Sequence, residues 1–344
     1  MKQLIKYAAL IFALILAASI IGGCLTAGVA VVKMIADKSE ENVGNSRNEG
    51  NGIWYRDEDG DVVFLGINFG GSGEVKSGQE TFSPSEIDSM YLEVGSGELV
   101  VTTWEKDEVS VVYENIPEEY EVYNDGGTLV IEREDSFVLW GISFKETPKV
   151  TVNVPKDMLI EEVEVDKGSG SAKMIGIQVE DLNVDNGSGG LGISDVWVKE
   201  LSVDSGSGGV NISNVTAEKS VLHSGSGSFT VQNSTLGETS MDAGSGFVNF
   251  EDIIAKNLVV DSGSGRVNIT GELTGNCVFE MGSGSLNVEI YGNEEDYNIR
   301  TDMGSGSFYL NGKKEDDTNI EHSGADHLLV FDSGSGRVSV EFKR

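Results

Sequence analysis

Residues 180–217 read EDLNVDNGSGGLGISDVWV followed by KELSVDSGSGGVNISNVTA, two units of 19 residues that align without a gap. Gly-Ser-Gly begins at Gly168, Gly187, Gly206, Gly225, Gly244, Gly263 and Gly282, at intervals of 19, and returns at Gly304 after 22 residues and at Gly334 after 30. A fixed period over that many copies is the signature of a solenoid, in which each unit stacks on the next.

The apolar pattern inside the unit gives strands. The fourth and sixth residues after the first Gly are apolar in all nine copies, for example Leu191 and Ile193, Val210 and Ile212, Val267 and Ile269. A spacing of two puts both on one face of a strand. The fifth and third residues before that Gly are mostly apolar too, as in Leu182 and Val184 or Leu258 and Val260. Each unit therefore reads as strand, Gly-Ser-Gly corner, strand and a short return carrying residues such as Val196 and Val198. One unit buries too few side chains to offset the ordering of its backbone, so only stacking can stabilise it. The predicted fold is all-β, a parallel β-helix whose nine coils fill residues 161–344. No Pro follows Pro155, consistent with strands that need every N–H for pairing.

The corner glycines are expected to take positive φ, where a Cβ would clash. The Ser between them would stack into a hydroxyl ladder, or into a sugar-binding row. Two residues before each corner stand Asp166, Asp185, Asp204, His223, Asp242, Asp261, Glu280, Asp302 and Asp332. These would form a column in which each carboxylate accepts N–H groups of its own corner, as in an Asx turn. The competing reading is a row of Ca²⁺ ions, but one Asp per coil is short of the six to eight oxygens that ion takes.

Ahead of the repeats, residues 86–160 read as an N-terminal cap. Gly95-Ser96-Gly97 with Leu92 and Leu99 resembles one more coil, EVYNDGGTLVIERE reads as a hairpin turning at Asn124 to Gly127, and SFVLWGISF (136–144) would cover the first coil or present an apolar patch. Residues 37–85 read as a polar tether, then a short hairpin, IWY and VVFLGINF around the acidic turn DEDGD. Asp57, Asp59 and Asp61 do not make a calcium loop there, because Gly60 is misplaced for one.

The 344 residues carry 24 Lys and Arg against 57 Asp and Glu, a net charge of −33. All but four of the basic residues and all but one of the acids lie beyond residue 38. Such a surface argues against nucleic acid and anionic lipid as main partners. Two cysteines, Cys24 and Cys277, exclude a disulfide framework and a Cys-based zinc site, and three histidines leave little for His chemistry. No catalytic, cofactor-binding or metal-ligating residue is assigned, and no cofactor is expected.

Residues 7–34 are almost uninterruptedly apolar or small. The run exceeds the 7–15 residues of a signal-peptide core and suits a membrane span of about 20. Residues 1–36 are expected to be a single transmembrane anchor with its amino end inside and the large domain extracytoplasmic. A cleaved signal, or lipidation at Cys24 within the lipobox-like Ile21-Gly22-Gly23-Cys24, are the alternatives.

The stretches LEVGSGELVV, KVTVNVPKD leading into VEVDKGSGSAKM, and VDSGSGRVNI resemble the bacterial "putative adhesin" family over residues 86–344. This is a domain of unknown function with β-strand repeats, frequent in Gram-positive bacteria. The resemblance implies a β-solenoid, often membrane-anchored, with some relatives beside envelope-stress genes, and it supplies no catalytic residues. The functions in play are a non-catalytic, adhesin-like surface module for an envelope protein or glycan, a sensory or regulatory partner in the envelope, and a glycan-active enzyme. The enzyme would need clustered carboxylates with Arg or Lys on one lateral face, and the basic residues do not recur at one repeat position.

Overall fold

The computed structural model describes residues 53–56, 62–65, 75–133, 147–316 and 318–343. The apolar segment, the tether, the acidic turn at 57–61 and the loop at 136–144 lie outside them. In a first unit, Ile53–Arg56 pairs antiparallel with Val62–Leu65, the short hairpin expected there. Among the described residues no helix is long and apolar enough to cross a membrane.

The second unit is a β-solenoid. Gln178–Asn186, Trp197–Ser205, Thr216–Ser224 and Thr235–Ala243 lie parallel and side by side, each displaced by one repeat, so Val184 faces Val203, Leu222 and Met241 in turn. The shorter strands Gly190–Ser194, Gly209–Ser213 and Ser228–Gln232 stack in the same way. Each coil has three sides. Leu182 and Val184, Leu191 and Ile193, and Val196 and Val198 point inward from them, all buried. The long strand bends where alternation breaks: Glu180 and Asp181 both face out, and the pairing skips Glu180. All eighteen apolar positions flanking the nine corners on the downstream side are in the core.

Coil order departs from chain order at both ends. Asn276–Met281 pairs with His327–Ser333, which pairs in turn with Tyr297–Asp302. The C-terminal segment 327–343 thus lies between the coils of 276–291 and 297–310, where consecutive stacking was expected. The long intervals of 22 and 30 residues supply the slack for this return. They also supply antiparallel pieces, Lys313–Glu315 and Asn319–Ile320, that cover the edge of the end coil. The other end mirrors it. Ser89–Glu93 lies between Thr128–Arg133 and Leu159–Lys167, with Val109–Pro117 and Tyr120–Asp125 paired antiparallel on the outermost strands. Open strand edges are thereby paired at both ends.

The corner glycines serve stacking more than φ. Only Gly97, Gly170 and Gly304 have positive φ among corner glycines; the other corners do not, which corrects the expectation of left-handed corners. A Cβ on the second Gly of the corner would meet the carbonyl of the coil before: 2.0 Å at Gly189, 2.0 Å at Gly208 and 1.9 Å at Gly227. The first Gly is less tight, with Gly206 3.0 Å from the Gly187 oxygen. Positive φ falls instead at the second turn, on Asp195, Asn214, Asn233 and Asp252, residue types that tolerate it.

Just inside the corner runs a buried column that includes Lys167, Asn186, Ser205, Ser224, Ser262 and Ser333. Asn186 Nδ2 donates to the Gly189 carbonyl at 3.0 Å and to Ser205 Oγ at 3.2 Å. Lys167 Nζ donates to the carbonyls of Gly95 and Ser169 at 2.8 and 3.1 Å. Burial lowers the Lys167 ammonium to about 8, against a smaller opposing pull from Asp166.

Three outcomes are expected. Gly227→Ala should destabilise the domain by more than ~1 kcal/mol, whereas Gly190→Ala, with nothing within 4 Å of its Cβ, should stay within ~0.5 kcal/mol; equal melting temperatures for the two variants would refute the stacking account. A chain ending at Asp326 should lose hydrogen-exchange protection at Tyr297–Asp302 as well as the missing coil; retained protection there would contradict the inserted order. Because the protonated form of Lys167 is the costly one, its contribution to stability grows as pH rises from about 8 towards the free-lysine 10.5 and is lost as pH falls back through about 8. Denaturant titrations of wild type and Lys167→Met should therefore diverge in that window, and parallel curves would sink the assignment.

Candidate functional site: the Gly-Ser-Gly edge

Along this edge the N–H groups of the first glycine and the serine bond from coil to coil. Ser188 N donates to Gly168 O at 3.0 Å, Ser207 to Gly187 at 3.1 Å, Ser226 to Gly206 at 3.0 Å and Ser245 to Gly225 at 3.1 Å. Gly187, Gly206, Gly225 and Gly244 donate likewise to the residue before the preceding corner. These N–H groups are thus committed to the neighbouring coil, and among the described residues no aligned carboxylate accepts from its own corner, so the expected Asx-type turn does not form. The corner serines are exposed. One pair of them is bonded through hydroxyls, Ser264 and Ser283 at 3.2 Å, so the corner is satisfied by backbone rather than by a Ser ladder.

The acidic residues do align. Asp166, Asp185, Asp204, His223, Asp242, Asp261, Glu280, Asp332 and Asp302 stand in register, all exposed. Water rather than a local donor moderates their repulsion. The Asp185 carboxyl is raised, by partial burial first and then by Asp166 and Asp204 on either side. His223 Nδ1 lies 4.0 Å from Asp242 Oδ2. Among the described residues no three His, Cys, Asp or Glu gather as metal ligands.

Past the corner the surface changes character. The short strands present three outward columns, of which the third, farthest from the corner, holds Glu251, Glu289 and Glu341. From Ser171 to Ser307 the first runs Ser, Gly, Gly, Ser, Phe247, Arg266, Ser, Arg337, Ser. The second, from Lys173 to Tyr309, passes through Asn211, Thr230, Asn249, Asn268 and Asn287, with Asn287 Nδ2 donating to Asn268 Oδ1 at 2.9 Å. Neither of these two columns holds an acid. The Arg337 guanidinium sits 4.3 Å from the centre of the Tyr309 ring, and its hydrogen bond to that phenol holds it below its ordinary value.

An open groove of about 680 Å³ runs along the edge across four corners. Gly227, Gly246, Gly265 and Gly284 line it, with corner serines such as Ser245 to one side and Ser228, Phe247, Arg266 and Ser285 to the other. The steric constraint that forces glycine at these positions leaves the groove without side chains between its flanks. Phe247 is 37% exposed, the rings of Trp197 and Tyr291 are exposed to similar extents, and of the three Phe247 lies in this groove. Among the described residues Arg266 makes no ion pair, while Lys173, Lys199 and Lys219 each pair with a Glu.

Other features do less. A second groove, about 290 Å³, is lined by Glu162, Asp181, Lys199, Glu200 and Lys219. Its Lys219 pairs with Glu200 at 3.4 Å and its Lys199 with Glu180 beside it at 4.0 Å, pairs of modest stability value on a surface. Cys277 is buried, which pushes its thiol up and away from reactivity. The sequence pointed to the Ser and acid columns; the acid-free columns and Phe247 escaped it because their residues differ from coil to coil.

The comparisons with known proteins agree on architecture. No curated protein matches the chain. A crystal structure described as a "Putative lipid binding protein" from Parabacteroides distasonis shares 16% identity, with 78% of this chain and 98% of that one aligned at a TM-score of 0.50. A "putative adhesin" from the same organism aligns at 14% identity and TM-score 0.46, over 79% of this chain and 98% of that one. Another, from Bacteroides fragilis, aligns at 12% and 0.41, over 80% and 100%. At such identities the first likeness bears on fold alone. The model of the Toastrack DUF4097 domain matches residues 87–238 and 221–328, most of the chain and most of its coils. The chain belongs to the Toastrack DUF4097 family.

Proposed function

We propose that this chain is a non-catalytic binding module, held at the outer face of the cell membrane by its N-terminal apolar segment, and that it binds through the Gly-Ser-Gly edge. One observation carries the reading. In a chain of net charge −33, the two outward columns nearest the corner hold no acid from Ser171 to Ser307 and carry the exposed Phe247 and Arg266, which among the described residues makes no ion pair. Exposed aromatic and Arg side chains in a groove are the groups that most often dominate binding energy. The groove lining contains no carboxylate or imidazole, so it offers no general acid or base, which favours binding over catalysis. Neighbouring structures described as adhesins and as a lipid binding protein are in keeping with a binding role.

Two measurements test this. Purified full-length chain should co-sediment with cell-envelope fragments. Phe247→Ala combined with Arg266→Ala should weaken that binding about tenfold or more, and Trp197→Ala, on another side of the coil, should leave it unchanged. Equal binding by all three would rule out this edge. Protease added to intact cells with an opened wall should digest the solenoid, whereas digestion only after lysis would reverse the orientation.

A further inference from the structure

We infer that the ligand of the groove is a linear neutral glycan lying parallel to the solenoid axis; this rests on the binding edge proposed above. Direction comes first. The groove crosses four successive corners, and its floor repeats once per coil, at the strand spacing of ~4.8 Å. An extended polysaccharide advances by about one coil per sugar, so successive sugars meet equivalent positions. A folded protein domain has no such repeat to match.

The chemistry of the walls fits sugar rings. The exposed face of Phe247 gives an apolar platform for the C–H face of one ring. Around it stand hydroxyls, Ser228, Ser245 and Ser264, and beyond them the side-chain amides of Asn249 and Asn268, all at coil spacing. Hydroxyl and amide groups donate and accept at once, as sugar hydroxyls and acetamido groups do. Arg266 adds a fork of donors that no acid among the described residues holds in an ion pair. The N–H groups of the first glycine and the serine of each corner contribute nothing to the ligand, since they are already bonded to the coil before.

Charge selects among glycans. The acidic column stands only a few residues away across the corner, and the whole chain is strongly negative. A polyanion would have to approach against that field, which slows its association and weakens its binding. One Arg on the groove does not reverse it. A neutral chain meets no such penalty.

Binding of the full-length chain to β-1,4-linked glucose and N-acetylglucosamine oligomers of two to six units tests this by calorimetry. At least one neutral series should bind, with affinity rising to about four units, the number of corners the groove crosses, and level beyond that. Phe247→Ala should lose about tenfold or more while keeping the wild-type melting temperature, and Trp197→Ala should bind as wild type. Oligogalacturonate of equal length should bind more weakly. No binding of either neutral series, affinity indifferent to Phe247, or tighter binding of the galacturonate would each overturn the inference. If envelope fragments still bind through Phe247 while no glycan does, the ligand class is wrong and the binding edge stands. If neither depends on Phe247, both are wrong.

Discussion

The structure depends on one contact, repeated: the N–H of a corner serine donating to the glycine carbonyl of the coil before it, at 2.9–3.1 Å from Ser188 to Ser283. That contact holds successive corners so close that the second glycine has no room for a Cβ. The three sides of the coil then follow. The main chain leaves each corner in register with its neighbour, the inward residues of the two flanking strands are buried, and the outward residues line up into columns. A chain that failed to stack would leave each 19-residue unit with a handful of apolar side chains and unpaired strand edges on both sides.

Stacking also explains the division of the surface. Any residue type that recurs at one repeat position becomes a column, so a preference for Asp two residues before the corner becomes a line of exposed carboxylates. Positions that vary become patches. In the two columns of the short strands nearest the corner the varying residues from Ser171 to Ser307 are neutral or basic, and there a groove, an exposed ring and a guanidinium without an ion pair among the described residues coincide. The chain thus carries a repelling acidic line and, across one corner, the acid-free groove proposed as its binding edge.

Much of this was legible in the sequence. The constant period with apolar residues two apart specified the coils, their parallel stacking and the inward residues from Ala172 to Val340. The role of glycine was legible only in part. Its presence at the corner could be read, but whether φ or the approach of the next coil demanded it is a three-dimensional fact, and only Gly97, Gly170 and Gly304 carry the positive φ expected of all. The reversed coil order at 327–343 was hidden because a repeat pattern gives the shape of a coil and not its place in the stack. Lys167 was hidden for a related reason: it occupies a position that is Asn or Ser in neighbouring coils, and only its burial shows that an ammonium has entered a column of small polar groups. The proposed binding edge was least legible, because Phe247 and Arg266 sit at a position that is Gly or Ser in most other coils and Arg337 in one.

The most direct test of the account is native-state hydrogen exchange at the corner amides of Ser207, Ser226, Ser245 and Ser264. Their side chains are exposed, so a corner held by local turns or by water would exchange quickly. If the N–H groups are bonded from coil to coil as described, they should exchange as slowly as the buried strand amides, with an opening energy near that of global unfolding. Fast exchange at these four amides, with the strands still protected, would contradict the claim that corner-to-corner stacking holds the solenoid together.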